Sequence, residues 1–245
     1  MTGGMKVAGA AMSNFASRHD VISNNLANIS TPGYAREDTF VERLGRVEAQ
    51  PFALPEVQSR TDFRTTGEPI LTGSPSDLSL EGSGFFALLT DDGVRFSRNV
   101  SLRVDSEGVV RDRTGFPVLG EHGLMMAGDR VPSVTADGEV LLLDREDPDT
   151  TDPVSLDRLR LATFRTGDDL KRGEGGLYEL RNGRSEDISM TRPTVLNGQL
   201  EGSAVQPVPE LVRMIEAMRS YEAAASALKA TDRSLDHAVN DIARV

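Results

Sequence analysis

The chain has 245 residues, of which 38% are hydrophobic and only 5% aromatic, so its core must be built mainly from aliphatic side chains. Its formal net charge of −11 opposes binding to nucleic-acid phosphates and to anionic membranes. Without cysteine, and with three histidines far apart in sequence, it offers no pattern of metal ligands or thiol chemistry. No apolar run approaches the roughly 20 residues of a membrane span, and the first residues lack a signal-peptide pattern. We expect no cofactor, no metal, no nucleic-acid binding and no membrane insertion.

Residues 1–30 are predicted to form a helix with one narrow apolar stripe. Its positions alternate between spacings of four and three residues, an average of about 3.5 that is typical of a coiled-coil seam. The stripe consists of Ala8, Met12, Phe15, His19, Ile22, Leu26 and Ile29. Pro32 should end the helix, because proline disfavours the helical conformation at the residue before it. We expect Pro32, Gly33 and Tyr34 to set how the helix meets the next segment, with Gly33 in a conformation that a Cβ disfavours.

Residues 31–75 contain many prolines and glycines and little periodicity, which predicts an extended connector carrying a β-hairpin. Residues 76–205 are predicted to form a β domain, because short alternating runs are separated by turn sequences such as Asp92-Gly93 and Asp137-Gly138. The predicted strands include 85–89, 94–98, 139–143, 156–164 and 194–201.

Residues 206–245 are predicted to form a second, longer helix that begins near Pro209. Its stripe consists of Leu211, Met214, Met218, Tyr221, Ala225, Leu228, Asp232, Leu235, Val239 and Ile242. The predicted fold is therefore a mostly β central domain with long N- and C-terminal α-helices that pair as an antiparallel coiled coil. The alternative is two ordinary amphipathic helices packed on one domain. Pairing the stripes in opposite order places His19 against Asp232, and we expect these polar residues either to bond across the seam or to face outward.

No sequence pattern predicts a catalytic residue. Gly82-Ser83-Gly84-Phe85-Phe86-Ala87 matches a loose dinucleotide fingerprint, but a strand and a hairpin follow it where a phosphate-binding helix is required. The glycines are better explained as the start of a β strand. We therefore expect the protein not to be an enzyme.

Three segments resemble the bacterial flagellar axial proteins, the rod and hook family. Residues 24–34 resemble its N-terminal signature, residues 82–99 and 108–120 the opening of its β domain, and residues 198–222 its C-terminal signature. The size resembles the rod proteins rather than the longer hook protein, and the length favours the proximal rod type. Ala204 departs from the family's usual asparagine, so a distal rod or short hook-type protein is the alternative.

The resemblance implies a structural subunit that packs helically into the drive shaft between motor and hook, with the terminal helices inside. It implies export by the flagellar type III route and location in the basal-body rod. The implied partners are copies of itself, other rod subunits and the rings around the rod. A surface carbohydrate-binding or hydrolytic β protein is the competing class, although the few aromatic residues argue against a sugar-binding groove.

Overall fold

The computed structural model describes residues 2–42, 56–63, 65–144, 153–164, 170–173, 176–181, 188–190 and 193–242. Side chains are described throughout these ranges except at residues 2–4, 6, 41–42, 56–57, 188–190 and 235–242. In chain order the elements are α1 (Thr2–Ala27), β1 (Glu37–Glu42), β2 (Glu56–Thr61), β3 (Pro69–Leu71), β4 (Asp77–Leu80), β5 (Phe85–Thr90), β6 (Gly93–Ser97), β7 (Asn99–Ser101), β8 (Arg103–Val104), β9 (Val110–Arg111), β10 (Leu119–Gly120), β11 (Gly123–Leu124), β12 (Val131–Val134), β13 (Glu139–Leu143), β14 (Val154–Arg158), β15 (Leu161–Phe164), β16 (Leu170–Arg172), β17 (Tyr178–Leu180), β18 (Ile188–Met190), β19 (Val195–Asn197), β20 (Gln199–Glu201) and α2 (Pro207–Ile242).

The chain divides into two compact units. Unit 1 comprises residues 1–29, 37–60 and 205–245 and contains both helices, and unit 2 comprises residues 30–36 and 61–204. The predicted connector is thus shared between the units. Independent folding of residues 76–205 stays a prediction.

Unit 2 is a β structure organised around the hairpin formed by β5 and β6. Its largest sheet has the strand order β16-β17-β6-β5-β15-β18, and a second sheet has the order β19-β4-β7. The hairpin pairs Phe86 with Ser97 and closes at Thr90 and Gly93. Because successive side chains of a strand point to opposite faces, β5 places Phe86 and Leu88 in one buried cluster and Phe85 and Ala87 in another. The dinucleotide-like glycines lead into this strand, as the sequence predicts.

Unit 1 contains the two helices at nearly the predicted positions, but the coiled-coil part of the predicted fold is wrong. A coiled coil buries its seam against the partner helix. Instead, α2 leaves four of its predicted seam side chains exposed, namely Leu211, Met218, Tyr221 and Asp232. Among the side chains of α2 that the structure describes, those buried are Glu210 and Ala217, each one position before a predicted seam residue. The helices flank a mostly β domain in chain order, and α2 leaves much of its apolar surface exposed.

Candidate functional site: an exposed helix face and the junction after α1

The first half of α2 carries a row of exposed apolar side chains. Five apolar residues lie one, three or four positions apart, which places them on one side of the helix. They are Val208, Leu211, Val212, Ile215 and Met218. Each is at least 50% exposed. We call this set the outer face of α2. A contiguous apolar surface of this kind marks an interaction site, whereas isolated exposed apolar residues do not.

A groove lies beside the outer face, between the two helices of unit 1. The groove has a volume of about 420 Å³. It is lined from α1 by Phe15, Ala16, His19 and Asp20, and from α2 by Ala217, Met218, Tyr221 and Glu222. Apolar groups form much of its wall, while Asp20 and Glu222 supply negative charge. Met218 belongs both to the groove and to the outer face.

The groove also corrects the predicted pairing of His19 with Asp232. It places His19 near Met218 and Tyr221, whereas Asp232 is exposed and lies roughly 16 Å beyond Tyr221 along α2, at 1.5 Å per residue. The nearest carboxylate to His19 is that of its neighbour Asp20, with an Nδ1–Oδ1 distance of 3.9 Å. The structure thus places Met218 and Tyr221, rather than Asp232, beside His19.

The remaining predicted seam residues are only partly covered. Ile22 is buried, and the half-buried members are Ala8, Met12, Phe15, His19, Leu26, Ile29, Met214, Ala225 and Leu228. The side chains of Leu235, Val239 and Ile242 lie outside the described residues. The structure therefore brings Phe15 and His19 together with Met218 and Tyr221, but it does not assemble the whole predicted seam.

The junction after α1, formed by Pro32, Gly33 and Tyr34, is a tight turn. The backbone N–H of Tyr34 donates to the carbonyl of Thr31 at 3.2 Å, which closes the turn around Pro32 and Gly33. Gly33 has φ +73°, the left-handed conformation that the sequence predicts. A Cβ at this position would also lie 2.9 Å from Nδ2 of Asn99. The position thus needs glycine for two separate reasons.

Backbone and side-chain hydrogen bonds fix the junction within unit 2. Gly33 donates its N–H to the carbonyl of Glu201 at 2.7 Å, and Ala204 donates its N–H to the carbonyl of Tyr34 at 2.9 Å. The hydroxyl of Tyr178 donates to the carbonyl of Gly33 at 3.1 Å and accepts the N–H of Ala35 at 2.9 Å. Burial raises the pKa of Tyr178 to about 12, so its hydroxyl keeps its proton at neutral pH and can fill both roles.

A buried ion pair supports the same region, and sequence reasoning did not identify it as a site. Nε of Arg98 donates to the carboxylate of Glu201 at 2.8 Å, and its Nη2 donates to the carbonyl of Gly82 at 2.7 Å. Asn99 forms two bonds with the Glu201 backbone, accepting its N–H at 2.7 Å and donating to its carbonyl at 2.8 Å. The three segments that resemble the axial family therefore meet in space. Arg98 lies between β6 and β7 with the polar neighbours Ser97 and Asn99, so no local pattern of the sequence distinguishes it.

Asn25 is a further positioning residue that the periodicity did not reveal. It is buried near the end of α1, and its amide group bonds both ways with the backbone of Glu37 at the start of β1. The Nδ2 donor distance is 2.8 Å and the Oδ1 acceptor distance is 3.0 Å. The side-chain amide of Asn25 thus forms with Glu37 the two hydrogen bonds that a neighbouring strand would otherwise form. These bonds connect β1 to α1.

Among the described residues, no group of histidine and carboxylate side chains is arranged to hold a metal ion. Neither α1 nor α2 has, over its described residues, an apolar stretch long enough to cross a membrane.

Comparison with known proteins gives a consistent family. A model described as flagella basal body rod protein matches residues 5–34, and one described as the C-terminal part of flagellar basal body rod FlgEFG proteins matches residues 196–241. The chain is 32% identical to the flagellar basal-body rod protein FlgF of Escherichia coli K12 over 239 residues, 91% of each chain. It is 28% identical to the rod protein FlgG of Buchnera aphidicola from Acyrthosiphon pisum, over 88% of this chain and 90% of that one. It is 25% identical to FlgG of Bacillus subtilis 168, over 94% and 96%.

Proposed function

Because this chain belongs to the family of flagellar basal-body rod proteins and is a structural rod subunit, we propose that it assembles helically into the drive shaft that carries torque from motor to hook. The proposal includes no catalytic activity. It places the protein in the periplasm-spanning part of the basal body, after export by the flagellar type III system. The 32% identity to a FlgF protein supports the proximal type over the distal type.

The observation that carries this proposal is the outer face of α2. Leaving several apolar side chains in water forgoes the free energy that their burial would supply, about 25 cal/mol per Å². Contact with another subunit recovers that free energy. In the proposed assembly, Leu211, Met218 and Tyr221 therefore act between subunits rather than within a two-helix coiled coil.

A filament requires contact between two unlike surfaces of successive copies. Such a head-to-tail contact leaves one surface of each kind free at the two ends. Such a contact repeats without limit unless its rotation closes a ring. We propose that copies of this chain and other rod subunits pack in this head-to-tail manner, with the surrounding rings as further partners.

Replacement of Ile215 by glutamate tests the proposal. Ile215 is 52% exposed in the middle of the outer face, so Ile215→Glu should leave the monomer folded. A buried, unpaired carboxylate between subunits should nevertheless prevent assembly. We expect normal circular dichroism, loss of sedimenting assemblies with the other rod subunits, and loss of swimming when the variant replaces the natural protein.

Ala227→Glu provides the matched control. Ala227 is exposed on the same helix but lies outside the outer face, so the variant adds the same charge elsewhere. It should sediment and support swimming like the unmodified chain. Equal assembly by Ile215→Glu and by the unmodified chain would contradict a role for the outer face.

A further inference from the structure

The chain passes between unit 1 and unit 2 at four places, and each has an anchoring bond inside unit 2 next to it. The passages follow residues 29, 36, 60 and 204. Gly33 and Ala35, between the first two, bond to the hydroxyl of Tyr178. Asp62, just after the third, donates its N–H to the carbonyl of Arg36 at 2.8 Å. Ala204, just before the fourth, donates to Tyr34.

Tyr178 contacts Gly33 and Ala35 directly and reaches Phe63, next to Asp62, through its ring. Its hydroxyl holds both sides of Tyr34, while its ring packs edge-on against Phe63 with a centroid distance of 4.9 Å. Phe63 also packs edge-on against Phe85 at 5.3 Å. The arrangement joins the segments next to the passages to the central hairpin through one side chain.

Two arginine side chains, Arg172 and Arg98, also contact these segments. Arg172 stacks on the ring of Tyr34, with its guanidinium carbon 3.9 Å from the ring centroid. Arg98 stacks on Phe85 at 5.3 Å while its guanidinium pairs with Glu201. The backbone of Glu201 in turn holds Gly33. A closed loop of contacts of this kind resists displacement of any one segment better than separate bonds would.

We propose that Tyr178 is a positioning residue that couples the segments of unit 2 next to all four passages into a single anchor. This coupling is a property of the isolated chain and does not depend on the proposed rod function. Loosening Tyr178 therefore releases segments that it does not itself touch.

Hydrogen exchange on the full-length chain tests this coupling. Tyr178→Phe keeps the ring and removes the hydroxyl, so faster exchange at the Ala35 amide is expected from the lost bond alone. The informative amides are those of Asp62 and Ala204, whose acceptors are the carbonyls of Arg36 and Tyr34. We expect both to exchange about tenfold faster, while the amides of Ala87 and Leu89 in β5 keep their protection.

Ser155→Ala is the matched control, because it removes a hydroxyl bond of 2.6 Å to Glu139 elsewhere in unit 2. It should leave the Asp62 and Ala204 amides unchanged. If Tyr178→Phe does not fold, Phe63→Leu carries the test, since it loosens the ring contact and leaves the hydroxyl in place. It should speed exchange at Ala35 and Ala204. Acceleration confined to Ala35 in Tyr178→Phe, or an unchanged Ala204 amide in Phe63→Leu, would overturn the single anchor. In neither variant does the exchange measurement depend on rod assembly.

Discussion

The core of unit 2 and helix α2 differ in how they place large apolar side chains. In the core of unit 2, Phe86, Leu88 and Leu78 are fully buried, and the aromatic rings around Phe85 pack edge to face. In α2, the small residue Ala217 is buried, whereas Leu211 and Ile215 are about half exposed. The two regions therefore differ in whether their apolar side chains already have a partner within the chain.

This difference separates folding from assembly within one chain. A core that covers its own apolar groups gains its stability without a neighbour, whereas a helix with an uncovered apolar face gains stability when another subunit packs on it. Substitutions in the core of unit 2 should therefore change the free energy of unfolding, and substitutions on the outer face of α2 should change association. Matched pairs of variants can break or sharpen that contrast.

The largest contrast is expected for one substitution made in both regions. Leu88 is 0% exposed and Leu211 is 50% exposed. Leu88→Ala should lower the free energy of unfolding by about 2–5 kcal/mol, because it removes buried methyl groups and leaves a cavity. Leu211→Ala should change it by less than about 0.5 kcal/mol. Denaturant titration of each purified chain measures both values.

Assembly should show the opposite order for the variants that fold. Leu211→Ala should weaken sedimentation with other rod subunits although its stability is unchanged, because the missing contact lies between subunits. A large loss of monomer stability in Leu211→Ala would mean that the outer face is covered within the chain, and the contrast between the regions would fail.

A smaller contrast is expected between two glycines of unit 2 with almost the same φ angle. Gly33 has φ +73° and Gly73 has φ +72°, so alanine at either position should cost about 1–2 kcal/mol for the left-handed conformation. A Cβ at Gly73 would meet nothing within 4 Å, whereas one at Gly33 would lie 2.9 Å from Asn99 and 3.3 Å from Arg98. Moving Asn99 would weaken its bonds to Glu201, which adds about 1 kcal/mol.

We therefore expect Gly33→Ala to be more destabilising than Gly73→Ala by about 1 kcal/mol in denaturant titration. Valine at position 33 should be worse still, since its branched side chain is larger. Equal losses at the two positions would show that Asn99 moves aside freely and that the junction is held less tightly than its hydrogen bonds indicate.

Proline, glycine and turn sequences correctly predicted elements whose ends depend on neighbouring residues. Proline and glycine marked the end of α1, and the turn at Asp137-Gly138 correctly preceded a strand over Glu139–Leu143. The run 156–164 was predicted as one strand, but the structure divides it into β14 and β15. Strand β3 was missed because its partner is β20, which pairs Leu71 with Gln199 far along the chain. The bond between Tyr178 and Gly33 spans 145 positions and has no local signature either.

The covered face of α2 escaped sequence reasoning for a different reason. Three-and-four spacing starting at Leu211 and the same spacing starting at Glu210 share Met214, Tyr221 and Leu228, so both describe plausible seams. Ranking them by apolar size selects the first, because it contains Leu211 and Met218. The structure buries Glu210 and Ala217 instead. Apolar size identifies a face that needs a partner, but it does not distinguish a partner in the same chain from one in another.

The smallest expected effect is on the pH dependence of stability, and it concerns a pair of polar side chains in unit 2, His122 and Asp157. His122 is exposed, yet its Nδ1 lies 2.8 Å from Oδ1 of Asp157, and its backbone N–H donates to Oδ2 at 3.1 Å. The hydrogen bond to Asp157 raises the pKa of His122 above its usual value of 6.5. Burial opposes ionisation of Asp157, but the hydrogen bonds from His122 and Arg158 outweigh it and hold the pKa of Asp157 below 3.8.

These two shifts give the pair a defined pH dependence. The raised pKa of His122 contributes to the stability of the fold. This contribution is fully present below pH 6.5 and is lost as the pH rises through the folded-state pKa. The contribution of the lowered pKa of Asp157 is lost only in acid. The melting temperature should therefore fall slightly from pH 6 to above pH 7, and His122→Gln should remove this fall. In an NMR titration, His122 should titrate above 6.5 in the unmodified chain and closer to 6.5 in Asp157→Asn. A value at or below 6.5 in the unmodified chain would mean that solvent, rather than Asp157, determines the pKa of His122. Internal pairing of side chains in unit 2 would then be limited to its apolar core.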